Sequence, residues 1–150
     1  MVNLIKSVFL CSLLLTLSSC FAVDNPDTPD YVNEFLAEAQ VFEDKISQGS
    51  GNANELREQY KAFNQFLAQR LSHSERLVDH FLQGEAKTLF KDSQALWKSY
   101  ANKESEFILS NFTKENVGSS YLLTRFAYVA TVNKQRIITL YGYAKNYPSL

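Results

Sequence analysis

Apolar residues recur at helical intervals along most of the chain, in four separate segments. In the first, from about Asp30 to Ser47, apolar side chains follow one another every three or four residues, which places them on one face of an α-helix. Similar stripes predict helices over about Asn54–Gln83, Glu85–Phe112 and Tyr121–Ala144. Since no convincing strand-like alternation is present, we expect an all-α fold, a small up-and-down bundle of three to four helices.

Polar residues indicate where the first two helices begin and where the second is weakened. Thr28 or Asp30 can cap the first helix, and Asn52 or Asn54 the second. The serines of Ser72–Ser74 are expected to interrupt the second helix, because serine side chains compete for backbone hydrogen bonds. Further along, Lys114–Ser120 is expected to form a loop.

The N-terminus resembles an export signal. Lys6 precedes the apolar run Val8–Leu17, which is shorter than the roughly 20 residues that cross a bilayer. Two cleavage sites compete. Cleavage before Cys20, at a lipobox-like sequence, gives a lipidated Cys20, and ordinary cleavage removes residues 1–22. We favour lipidation, because the apolar run ends directly at Leu17.

This interpretation gives a signal peptide over 1–19, a tether over 20–29 and one helical domain over 30–147. The mature protein is then periplasmic, or held at a membrane through a lipid anchor only. No cysteine follows Cys20, so the domain has no disulfide and depends on its apolar core. A length of 150 residues fits one domain.

Charge is balanced overall but unevenly distributed. With 15 Lys+Arg against 16 Asp+Glu, the chain is not a basic nucleic-acid binder. Residues 24–44 hold seven acids and no base, whereas residues 116–150 hold four bases and no acid. We favour the interpretation that these charges pack together or face solvent, since charge runs usually do. The alternative is that one end docks a charged partner.

Residues suited to catalysis or metal binding occur without the motifs that such chemistry needs. His73 and His80 lack the HExxH or paired CxxC spacing of zinc sites, so we expect ordinary surface histidines and no metal or cofactor. Glu104 falls on an apolar stripe, with Arg125 and Arg136 as candidate partners, but no nucleophile motif accompanies it. An enzyme is therefore not expected.

A resemblance to a known family rests on three stretches. Ser93–Tyr100 is followed by Gly118–Ser119 and then by Thr131–Leu140. These stretches resemble the lysozyme-inhibitor LprI-like N-terminal domain family, formerly a domain of unknown function, over roughly residues 55–143. The matching positions are Gln94, Trp97, Tyr100, Gly118, Arg136 and Leu140.

The chain also departs from the family pattern. Ala101 replaces an arginine, and Ser105 stands where the family has its first cysteine. The second cysteine, expected near residues 126–128, is missing as well, as the loss of a disulfide would require. The chain thus resembles a divergent member of the family.

The resemblance implies a small, helical, exported and often lipid-anchored protein. Because some members bind and inhibit lysozyme, we expect a cell-envelope binding protein that acts by non-covalent occlusion. The alternative is a structural or assembly lipoprotein with a protein partner and no inhibitory activity. We expect the matching residues to have structural roles, with Trp97 and Tyr100 as core anchors. The expected partner-binding residues are Asp30, Glu34, Glu38, Lys114, Glu115, Asn116 and Ser119.

Overall fold

The computed structural model describes residues 29–49 and 52–147, and these form an all-α protein, as expected. No strand occurs within these ranges. The expected signal peptide, Cys20 and almost all of the tether lie outside them. The helices are α1 (Tyr31–Ser47), α2 (Ala53–Phe81), α3 (Gly84–Asn111), the single turn α4 (Lys114–Val117) and α5 (Tyr121–Ala144), with a 3-10 turn at Gly118–Ser120 before α5.

Helices α2 and α5 form the centre of the bundle, and α1 and α3 flank this pair. Helix α1 packs on one side, where Phe35 contacts Phe66 of α2 and Tyr141 of α5. Helix α3 packs on the other side, where Trp97 lies beside Arg136. The four long helices follow one another up and down, which is the predicted topology.

The core is built mainly from α1, α2 and α5. Leu67, Ile137 and Leu140 are fully buried where the central helices meet. Aromatic rings from α1 close the core on one side, since Phe42 lies 4.8 Å from Phe66, centroid to centroid. The other buried apolar residues of the two core clusters are Phe35, Ala39, Phe63, Val78, Ala130, Tyr141 and Ala144.

Helix α2 is continuous through Ser72–Ser74, so the expected interruption is wrong. The reason is visible at Ser74, which is fully buried. Its hydroxyl donates a 2.9 Å hydrogen bond to the carbonyl of Leu71, one turn earlier, and is thus satisfied within the helix.

The helix caps resolve two of the sequence alternatives. Asp30 caps α1 by accepting a hydrogen bond from the amide of Asn33 at 3.3 Å. Asn52 caps α2 in the same way, through the amide of Asn54 at 3.0 Å. Thr28 lies outside the described residues.

Residues 114–120 form two short helical turns rather than the expected open loop. The Thr113 hydroxyl caps the first turn through the amide of Asn116, and the Asn116 side chain donates to the carbonyl of Asn111 at 2.7 Å. Gly118 has a φ of 70°, a region that favours glycine, and this conformation lets the chain turn into α5.

Helix α3 contradicts the expectation of one buried stripe. Only Gln94 and Ile108 are buried, whereas Leu89, Leu96, Tyr100 and Phe107 are exposed. The physical reason is that α3 meets the central helices along one side only. Its second row of apolar residues therefore faces away from the bundle.

The fold makes a prediction about stability. Replacement of Leu67, which is fully buried, by alanine should lower the free energy of unfolding by about 2–5 kcal/mol, because it leaves a cavity between the central helices. The matched control is Leu109→Ala, since Leu109 is 52% exposed on α3 and should change stability little. Chemical denaturation followed by circular dichroism measures both. Equal effects would contradict the described core.

Candidate functional site

The acidic residues of α1 meet basic residues of the central helices. This contact supports the interpretation that the oppositely charged ends of the sequence pack together. Three ion pairs make the contact: Glu38 with Arg70, Glu43 with Lys134 at 2.6 Å, and Asp30 with Lys145 at 3.8 Å.

In each of these pairs the acid is more exposed than the base. The side chain of Glu38 is 45% exposed against 33% for Arg70, and Glu43 is 34% exposed against 25% for Lys134. Asp30 is 41% exposed against 25% for Lys145. The carboxylate is therefore the more exposed charge in each pair. We call Asp30, Glu34 and Glu38 the acidic face, because their spacing of four residues places them on one side of α1, and Glu34 within it is also exposed. Glu43 lies about 140° further round the helix, on the side that faces Lys134.

Hydrogen bonding favours the charged form of Asp30 at one end of this face. The backbone amide of Asn33 lowers the pKa of the Asp30 carboxyl, with further help from the Asn33 side chain and from Lys145. The carboxyl also lies at the N-terminus of α1, where the helix dipole favours a negative charge. The Asp30 carboxyl is thus ionised at neutral pH.

The second group of expected partner-binding residues lies on the turn after α3. Lys114, Glu115, Asn116 and Ser119 are all exposed there. The pKa of Glu115 is lowered, first by a hydrogen bond from its own backbone amide and then by one from the hydroxyl of Thr113. This turn can therefore present polar groups in fixed positions.

Arg125 closes the end of α3 beside this turn. Its guanidinium donates to the carbonyls of Phe112 at 2.7 Å and Leu109 at 2.5 Å, and it lies 5.0 Å from the ring of Tyr121. Carbonyls at a helix C-terminus need such donors. The hydrogen bonds of the Arg125 guanidinium thus go to backbone carbonyls and not to Glu104, so the expected pairing of these two residues is wrong.

The structure does not bring the two expected partner-binding groups together. Asp30 lies at the end of the bundle where Lys145 ends α5, whereas the turn lies at the other end beside Arg125. The 20 residues of helix between Arg125 and Lys145 span about 30 Å. One small contact area cannot include both groups.

The residues that carry the family resemblance lie mostly between α3 and the central helices. Arg136 of α5 places its guanidinium 5.5 Å from the ring of Trp97, and Leu140 is fully buried. Gln94 is 6% exposed, and its amide has no hydrogen-bond partner among the described residues. A structural role fits these positions. Tyr100 is 55% exposed, so the expectation that it anchors the core is wrong.

A cleft of about 670 Å³ between α2 and α3 was not expected from the sequence. Two ion pairs cross its walls, Lys98 with Glu75 at 2.9 Å and Lys87 with Asp79 at 3.1 Å. The lining holds four Lys and Arg residues against two acids, so it favours an anionic over a cationic occupant. No sequence motif marks this cleft, since it depends on how two distant helices pack. Its lining residues are Glu75, Arg76, Asp79, His80, Lys87, Phe90, Lys91, Gln94, Ala95 and Lys98.

The two histidines occupy different environments. His73 lies at the edge of the core and shares a 2.9 Å hydrogen bond with the hydroxyl of Tyr141. Burial lowers the pKa of His73, and the charges of Arg70 and Arg76 lower it further. His80 lines the α2–α3 cleft and contacts Phe81 edge to face. Over residues 29–49 and 52–147, no group of three or more His, Cys, Asp or Glu residues could hold a metal ion.

Comparisons with known proteins do not place the chain in a family. No protein-family model matches it, and no similar protein was found among curated sequences or solved structures. Within the described part of the chain, none of the helices combines the length and the apolar character needed to cross a bilayer.

The environment of His73 leads to a prediction about pH. Because its pKa is lower in the folded protein than the ordinary value of 6.5, the unfolded chain takes up a proton first as the pH falls. The contribution of His73 to stability should therefore be complete above pH 6.5 and should decrease as the pH falls below this value. His73→Gln should remove this decrease, whereas His80→Gln should retain it. Denaturation midpoints between pH 7.5 and about 5 measure the difference, and an unchanged slope in His73→Gln would contradict the prediction.

Proposed function

We propose that the chain is an exported binding protein of the cell envelope, which acts on a basic protein partner without covalent chemistry. Lysozyme is the partner to test first, with inhibition by occlusion as the expected activity. The observation that carries this proposal is the acidic face, where the paired carboxylates of Asp30 and Glu38 are more exposed than their bases.

The exposed carboxylates suit a cationic partner for a physical reason. A basic surface that approaches α1 meets exposed carboxylates, since Glu34 is exposed and Glu38 is more exposed than its partner Arg70. Complementary charges speed encounter and fix orientation. Arg70 and Lys145 also hold their partner carboxylates in place, which lowers the entropic cost of ordering these carboxylates in a complex.

Export is part of the proposal and is supported by the N-terminal sequence. Lys6 ahead of the apolar run Val8–Leu17 is typical of a signal peptide, and Cys20 is placed for lipidation. A single lipid chain gives only marginal membrane binding, so stable anchoring at Cys20 requires more than one acyl chain. An anchored protein of this kind would present its helical domain beyond a short tether.

Lysozyme inhibition gives a direct prediction. The purified protein at micromolar concentration should slow the lysis of bacterial cell walls by a c-type lysozyme, a basic enzyme. The inhibition should weaken as salt rises from about 0.05 to 0.3 M, because exposed charge attraction is screened over about 10 Å at 0.1 M. Turbidity assays measure the lytic rate. An unchanged rate would overturn inhibition.

A matched pair of variants locates the contact. Glu34→Lys reverses a charge on the acidic face and should raise the concentration needed for half-inhibition by about tenfold. Glu58→Lys makes the same change on α2, where the Glu58 side chain is 68% exposed and remote from that face, and should have little effect. Equal effects of the two variants would assign inhibition to net charge and would contradict a contact at α1.

The alternative, an assembly protein without inhibitory activity, is favoured by the exposed apolar residues of α3. A variant with reversed charges at Arg125 and Arg136 would be a poor test of this alternative. Arg125 holds the end of α3 and Arg136 packs on Trp97, so this variant would disturb folding. The surface of α3 itself provides the better test.

A further inference from the structure

Helix α3 carries two separate apolar rows. One row packs against the central helices through Phe90, Trp97 and Ile108. The other is formed by Leu89, Leu96, Tyr100 and Phe107, which are 60%, 73%, 55% and 55% exposed, and we call it the outer stripe. Steps of seven, four and seven residues keep these four side chains within about 20° of one line along the helix.

The outer stripe has an internal symmetry. Leu89 and Phe107 lie at equal distances on either side of position 98, and so do Leu96 and Tyr100. A second α3 that runs antiparallel, related by a two-fold axis at this level, would place Leu89 opposite Phe107 and Leu96 opposite Tyr100. Each pair joins an aliphatic side chain to an aromatic one over a stripe about 27 Å long.

Charged residues beside the stripe follow the same symmetry. Asp92 and Lys103 lie on the same edge of the stripe, at nearly equal distances from position 98. The two-fold axis brings Asp92 of each chain next to Lys103 of the other, which gives two identical ion pairs. Within one chain Lys103 pairs with Glu106, but the two side chains are 76% and 65% exposed, so this pair can be exchanged at little cost.

From these three features we propose that the protein forms an antiparallel homodimer through the outer stripe of α3. Such a contact is self-complementary, as a two-fold interface must be. Specific interfaces cover about 800 Å² on each partner, and the stripe supplies only part of that area. The uncharged α5 residues Gln135 and Thr139, which line a shallow cleft beside Tyr100, extend the surface. The interface is small, so we expect micromolar association.

The dimer does not depend on the proposed function. The acidic face belongs to α1, and α1 and α3 lie on opposite sides of the central helices. A dimer through α3 leaves the acidic face open, and failure of either proposal leaves the other unaffected.

The test is sedimentation equilibrium of the full chain from about 1 to 300 μM, a range suited to small interfaces. All variants carry Cys11→Ser and Cys20→Ser and keep the same N-terminal residues 1–19. Any association through that segment is therefore the same in every sample. We expect a monomer–dimer equilibrium. Leu96→Glu should weaken it at least about thirtyfold, because the new charge would be buried at the centre of the interface.

A charge exchange tests the pairing of Asp92 with Lys103 across the two-fold axis rather than the apolar contact. Asp92→Lys should weaken the dimer about tenfold, and the double variant Asp92→Lys/Lys103→Asp should restore it to within about threefold. Both changes lie on the solvent side of α3, so folding should not change. Circular dichroism of each variant checks this, and a double variant as weak as the single one would overturn the proposed pairing.

Cysteine crosslinking tests whether the two α3 helices of the dimer run antiparallel. Chains with Leu89→Cys mixed with chains with Phe107→Cys should form a disulfide-linked dimer, and Leu89→Cys alone should not. A crosslink in Leu89→Cys alone would indicate parallel helices and overturn the proposal. A monomer at all concentrations, or a dimer insensitive to Leu96→Glu, would overturn it as well. Binding of a monomer to phospholipid vesicles that Leu96→Glu abolishes would assign the stripe to a lipid surface instead.

Discussion

Burial of apolar side chains between α2 and α5 is the interaction on which the rest of the structure depends. Leu67, Ile137 and Leu140 are fully buried at this contact, and full burial of such a side chain contributes about 1.5–3 kcal/mol. The domain has no cysteine to strengthen the fold covalently. The flanking helices α1 and α3 therefore depend on packing against the central pair.

The two flanking helices use the central pair differently. Helix α1 buries Phe35 and Ala39 and adds ion pairs to α2 and α5, with its acids outermost. Helix α3 buries little, and is fixed by the Trp97–Arg136 contact and the ion pairs across the α2–α3 cleft. As a result the bundle has an acidic surface on one side and an apolar surface on the other. These are the surfaces through which we propose that it binds a partner and itself.

The sequence predicts the helices well because helical periodicity is a local property. The expected bounds of the four long helices differ from the structure by at most two residues, and each observed cap, Asp30 and Asn52, is one of the two residues expected at that position. The sequence could not predict which of two apolar rows on α3 faces the core. Both rows have helical spacing, and only the position of the neighbouring helices distinguishes Trp97 from Tyr100.

The candidate site was less predictable for the same reason. The acidic run of residues 24–44 marks Glu34 and Glu38 in the sequence, but nothing there marks Arg70, whose contact with Glu38 joins residues 32 positions apart. The sequence likewise makes Arg125 a candidate partner for a carboxylate, whereas in the structure Arg125 donates to carbonyls at the end of α3. Long-range pairing of this kind has no signal in a single sequence.

The central claim is that α2 and α5 form the stable centre and that α1 and α3 dock on it. Native-state hydrogen exchange of the backbone amides tests this most directly, since protection reports the free energy of local opening. The account predicts the slowest exchange around Leu67 and Ile137, and faster exchange throughout α3. Protection of α3 equal to that of α2 and α5 would contradict it.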